Sequence, residues 1–212
     1  MHTLKRFIFI LIVSSLVASE PYVNDIILQK VAAKYNDFAT KRFMLLEKNL
    51  DKLKDKSDLE KLTWVNTFYN RVPYASDMKA YGISDYWATP WEFLGKDMGD
   101  CEDYVIAKYF ALVYLGFDSK KLFLSYVRAK NFKETHMVLT YFETPKSDPL
   151  VLDSNNHKIF PASQRADLTP IYNFNGDSLY KATGSGAGKN IENQKIHKNW
   201  DELKLNIKRN KV

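Results

Sequence analysis

The sequence predicts an α+β fold, in which N-terminal helices and a central cysteine-bearing helix pack on an antiparallel β-sheet. Three observations predict it. Apolar residues recur at helical spacing between Val23 and Phe68. A second helical run, Tyr104 to Leu115, follows an acidic cap and carries the lone cysteine at its head. Short β-like runs come only after it. With 212 residues, 45% apolar and 14% aromatic, the chain can bury one sizeable core and is too short to suggest several domains, so residues 20–212 are expected to form one.

The chain opens with Lys5 and Arg6, an apolar run from Phe7 to Val13, and small residues at Ser14, Ser15, Ala18 and Ser19. This pattern predicts a cleavable secretory signal peptide over residues 1–19. The run is shorter than the roughly 20 residues a membrane span needs, and an uncleaved anchor that also uses Leu16 and Val17 is the alternative. In an oxidising compartment a single cysteine cannot form an internal disulfide, which leaves Cys101 free, paired with another molecule, or catalytic. The net charge of +6 does not mark a nucleic-acid binder, because the lysines are spread among acids, as between Lys48 and Lys61 with Asp51, Asp55, Asp58 and Glu60.

Between Val23 and Leu53 the apolar series Ile26, Ile27, Val31, Phe38, Phe43, Leu46, Leu50 and Leu53 predicts two helices or one kinked helix. Ser57 and Glu60 form a capping box ahead of Leu59, Leu62, Trp64, Val65 and Phe68, so a further helix should run to about Asn70. From Val72 to Gly99, two prolines and three glycines among aromatic residues predict an ordered loop with at most short helices. Asp100 then stands as N-cap with Asp103 three residues on, and Gly116 ends the helix that begins at Cys101. Leu122–Val127, His136–Phe142 and Leu150–Asp153 read as strands. The tail holds Gly184, Gly186 and Gly188, which lack the context of a phosphate-binding loop, and an amphipathic stretch from Trp200 to Arg209.

A cysteine attacks as thiolate, and a helix N-terminus together with an imidazolium lowers its pKa. Among the histidines, His2 leaves with the leader, His157 sits in a turn-like stretch and His197 in the polar tail, whereas His136 opens an apolar strand. A base at a strand end works best when a carboxylate fixes its tautomer, and Asp153 ends the next strand. The order Cys, His, Asp on helix, strand, strand is the arrangement shared by papain-like proteases and transglutaminases. Pattern alone does not separate this reading from a packing cysteine and a structural histidine.

The run Gly99-Asp100-Cys101-Glu102-Asp103-Tyr104-Val105-Ile106-Ala107-Lys108-Tyr109 resembles the GDCEDYAIAKY signature of the LapG-type bacterial transglutaminase-like cysteine proteases. The resemblance extends to Asp85–Glu92, His136–Leu139, Pro149–Asp153 and Pro161–Arg165, and so covers roughly Leu59 to Leu179. It implies a papain-like or transglutaminase-like domain with Cys101 as nucleophile, His136 as base and Asp153 as orienting acid. It also implies an enzyme that cuts the N-terminal region of a large surface adhesin, releasing cells from biofilm, under restraint by an inner-membrane cyclic-di-GMP receptor; the leader adds the expectation of a periplasmic location, and the enzyme is expected to be a monomer.

Asp100, Glu102 and Asp103 surround a residue that must ionise, and their unneutralised charge would oppose that ionisation. A cation is therefore expected, and hard oxygen ligands without clustered Cys or His select calcium. The LapG-type resemblance implies calcium as well. Asp100 and Asp103 are the leading ligands, followed by Glu102 and by Asp85 in the preceding loop; the competing reading is that Asp100 and Asp103 only cap the helix. Backbone amides near Cys101 would receive the oxyanion, with Trp87 as a side-chain candidate. Two other functions use the same residues differently: a transglutaminase-type acyl transfer to an amine, and a non-catalytic calcium-dependent binding module in which Cys101 is inert.

Overall fold

The computed structural model describes residues 20–130, 135–176, 178–182, 186–191 and 198–212. The expected leader at 1–19, Gly184 and His197 lie outside these residues. Helices α1 (Asp25–Lys34) and α2 (Asp37–Leu53) are separate, because Asn36 caps the second and its side chain accepts the Ala39 amide. Helix α3 (Asp58–Tyr69) starts at the Ser57–Glu60 capping box. Ile26, Phe38 and Leu59 belong to the apolar spacing but are exposed; Ile27, Phe43 and Leu62 are the core residues of these helices.

The connection to the cysteine helix contains the short helices α4 (Asp77–Tyr81) and α5 (Pro90–Lys96), the latter capped by a Thr89–Glu92 box with proline in its first turn. Helix α6 (Cys101–Tyr114) is then buried along nearly its whole length and faces α3 and α5 on one side and the sheet on the other.

Seven antiparallel strands form one sheet in the order β4-β3-β2-β1-β5-β6-β7. These are β1 (Leu122–Ala129), β2 (Thr135–Tyr141), β3 (Leu150–Leu152), β4 (Phe160–Pro161), β5 (Leu168–Asn175), β6 (Ser178–Lys181) and β7 (Lys189–Asn190). Alternation divides the faces: Leu122, Leu124, Met137, Leu139 and Leu152 join the main core with the helices, while Val127, Val138 and Val151 form a smaller cluster on the opposite side.

The sequence reading places three strands here, and the structure corrects that number. The segment forming β5 contains Pro170, which argues against a strand because proline donates no ladder hydrogen bond. A register shift between Tyr126 and Val127, opposite Pro170, accommodates it. Between β6 and β7, Gly186 lies in a turn and Gly188 has φ +102, where a Cβ would stand 2.2 Å from the Lys181 carbonyl oxygen.

The amphipathic tail forms α7 (Lys198–Lys208), and its Trp200 is 3% exposed. That ring stacks on Phe110 at 5.9 Å and meets Tyr109, Phe174 and Trp87 edge-on. Trp200 thus ties the tail to α6, to β5 and to the loop before α5. Trp200→Ala should lower unfolding free energy by about 3–5 kcal/mol. Urea denaturation checks this, and a loss below about 1 kcal/mol would show that α7 is a peripheral appendage.

Lys108 is fully buried on α6, and its Nζ has no hydrogen-bond partner among the described residues. Burial pulls its amine down to about 7 against the opposing charge of Asp153. A lysine whose folded pKa lies below its unfolded value costs stability fully below the folded pKa, and the cost fades as pH rises toward the unfolded value near 10.4. Lys108→Met should therefore be more stable than wild type at pH 6, by on the order of 2 kcal/mol, with the advantage shrinking by pH 9.5. Identical pH dependence of unfolding in the two proteins would rule this out.

Candidate active site

Cys101 is the first residue of α6, with Asp100 as N-cap. Its thiol donates to Glu102 Oε2 at 2.9 Å, and the Met137 backbone amide acts on its sulfur to favour the thiolate. Met137 follows His136 on β2. Burial, then the Glu102 carboxylate, pushes the thiol well above its ordinary pKa.

His136 and Asp153 are brought together at the ends of β2 and β3. His136 Nε2 lies 2.8 Å from Asp153 Oδ1, and both residues are buried. The second carboxylate oxygen accepts from Arg165 at 2.7 Å, and the Asn155 amide donates to Oδ1 at 2.8 Å. Asn70, the C-cap of α3, donates to the Asp153 carbonyl at 2.8 Å. Burial opposes the charge of Asp153, but the bonds from His136, Arg165 and Asn155 outweigh it and hold the carboxyl at about 2. Asp153 is therefore ionised at neutral pH, and it fixes Nε2 as the nitrogen turned toward it.

Arg165, Asn155 and Asn70 were not assigned roles from the sequence. Arg165 does fall in the Pro161–Arg165 stretch of the family resemblance, which was the available signal. Asn70 was read only as the approximate end of a helix, and its reach to Asp153 depends on tertiary packing.

The acidic residues separate into two groups. One oxygen from each of Asp77, Asp100 and Asp103 lies within 4.8 Å of the others. Asp77 is an addition to the sequence reading; it looks there like an ordinary first-turn acid of a short helix. Asp103 is fully buried and accepts from the Ala88 amide at 2.9 Å and the Tyr81 hydroxyl at 3.2 Å. It also receives the Asp100 amide at 3.4 Å, so the capping reading and the cluster coexist. Glu102 instead turns to the thiol. Asp85 has φ +55, and its charge acts on Asp77 from outside the trio. Trp87 is buried edge-on to Trp200 at 6.4 Å.

The trio fits a hard cation on its own chemistry. Asp77 Oδ1 and Asp100 Oδ1 are buried without a hydrogen-bond partner among the described residues. Burial, followed by the charges of Glu102 and Asp103, raises the Asp100 carboxyl to about 10. Burial also raises Asp77 and Asp103. An oxygen-only donor set of this kind is the type that calcium accepts.

Comparison with known proteins agrees with this geometry. The chain is similar to Legionella pneumophila LapG in its calcium-bound form, with 38% identity, a TM-score of 0.73, and coverage of 85% of this chain and 97% of that one. The EGTA-treated form of that protein matches at 37% identity and the same TM-score over 90% of this chain and all of the other. No curated protein sequence matches the chain. Residues 35–169 match the model of the bacterial transglutaminase-like cysteine proteinases. The chain, with its lone cysteine on a helix start beside a buried His–Asp pair, belongs to the bacterial transglutaminase-like cysteine proteinase family.

Proposed function

We propose that this chain is a periplasmic, calcium-dependent cysteine endopeptidase that cuts the N-terminal region of a large surface adhesin and so releases cells from biofilm. The observation that carries the reading is the buried His136–Asp153 pair, 2.8 Å apart, with His136 next to Met137, whose backbone amide acts on the Cys101 sulfur. In the reaction, His136 takes the thiol proton through Nδ1, since Asp153 holds Nε2. The sulfur adds to the peptide carbonyl, His136 protonates the departing amine, and water hydrolyses the thioester. The Cys101 amide at the start of α6 and Trp87 are the donors assigned to the oxyanion.

Asp77, Asp100 and Asp103 would hold the calcium ion, with Glu102 and Asp85 as adjoining carboxylates. Bound calcium supplies positive charge that offsets the carboxylates around the thiol. The support for this assignment is the pair of unpartnered oxygens and the calcium-bound form of the similar Legionella protein. The periplasmic location rests on the leader-like residues 1–19, and the restraint by an inner-membrane cyclic-di-GMP receptor rests on the family resemblance.

Two measurements test the reading. Iodoacetamide alkylation of a protein beginning at Glu20 should report, with calcium, a thiol pKa well below about 8.5. Chelator or His136→Ala should slow the reaction by about tenfold or more at pH 7. A wild-type thiol that stays unreactive with calcium present would eliminate the protease and favour the binding module. In calorimetric titration, Asp77→Asn should weaken calcium binding by about tenfold or more, as expected for loss of one charged ligand. Unchanged affinity in that variant would remove Asp77 from the ligand set.

A further inference from the structure

The catalytic scheme leaves one polar side chain beside the thiol without a role. Strands β1 and β2 pair so that Tyr126 stands directly opposite Met137. Residues opposite one another in an antiparallel pair project from the same face, and both of these pack against the core on the helix side. Met137 is also the residue whose backbone amide acts on the Cys101 sulfur. Tyr126 is its cross-strand neighbour and packs against the same helix-side core as Cys101.

Its surroundings agree. The charged groups acting on the Tyr126 hydroxyl are Glu102, Asp85 and Cys101. The residue is half-buried, so its ring is held by packing while part of it meets solvent.

We propose that Tyr126 is a further catalytic residue, whose hydroxyl donates a hydrogen bond to the carbonyl oxygen of the scissile acyl group as Cys101 adds to it. The sulfur lone pair forms the C–S bond, and the C=O π pair moves onto oxygen, where the Tyr126 O–H meets the developing charge. The pair then returns, the C–N bond breaks and His136 delivers a proton to the amine. No oxidant or co-reactant enters. A phenol ordinarily titrates near 10, and burial raises Tyr126 above that, so it keeps its proton for this task at neutral pH.

This inference rests on Cys101 being the nucleophile, and two probes separate the two ideas. Iodoacetamide alkylates the thiolate by displacement and creates no oxyanion, whereas p-nitrophenyl acetate acylates it through one. With calcium present, Tyr126→Phe should keep the alkylation rate and its pH profile within about twofold and lose roughly 10²-fold in the acylation rate. Equal acylation rates in variant and wild type would overturn the proposal. So would a parallel fall of both rates, which would make Tyr126 a residue that acts through the thiol. A wild-type protein that reacts with neither probe would instead remove the nucleophile assignment itself.

Discussion

Buried negative charge at the start of α6 is the constraint on which the surrounding structure depends. Asp77, Asp100 and Asp103 converge within 4.8 Å, and Asp103 has no solvent exposure at all. The loop before the helix is folded around that one carboxylate, since the Ala88 amide, the Tyr81 hydroxyl and the Asp100 amide all point to it. Gly99 is part of the same arrangement, because a Cβ there would lie 2.4 Å from Asp103 Oδ2. The loop that shapes the site and the site's charge are thus one structural problem.

The molecule treats its two sets of buried carboxylates in opposite ways. Asp153 receives His136, Arg165 and the Asn155 amide, and these hold it at about 2 despite burial. Asp77 and Asp100 each keep one buried oxygen with no such bond, and burial raises both. The same side chain is therefore a fixed anion where donors surround it and a protonated or cation-seeking group where they do not. That contrast matches the division of labour in the proposed enzyme, an orienting acid on one side of Cys101 and a metal site on the other.

Much of this was legible in the sequence wherever the signal was local. Helix α6 announces itself by an acidic cap, a helical apolar run and a terminal glycine, and β2 by the apolar strand that His136 opens. Asp153 is legible because it ends the next β-like run. Strands β5 to β7 were not, because Pro170 argues against pairing and only the register shift in β1 makes room for it. Asp77 and Tyr126 were hidden for another reason: each sits in an ordinary helix or strand pattern, and only tertiary placement brings it to Cys101. The amphipathic tail was visible, but the partners of Trp200 come from three distant segments and could not be read from its own periodicity.

Magnitudes show why the helix start cannot activate Cys101 unaided. A carboxylate about 4 Å from a forming thiolate opposes it by about 4 kcal/mol at an effective dielectric of about 20, which is roughly three pK units. Glu102 stands 2.9 Å from the sulfur, so its opposition is of that order or larger. The positive end of a helix returns only about 0.3–1 kcal/mol at an exposed site and about 2 in favourable burial. The imidazolium of His136 can make up part of the difference. Any charge on Asp100 adds to the opposition, and no Lys or Arg is bonded to Asp77, Asp100 or Asp103 among the described residues. On these figures a thiolate at neutral pH needs positive charge beyond the helix end and His136, and a cation held at the acidic trio, as proposed above, would supply it.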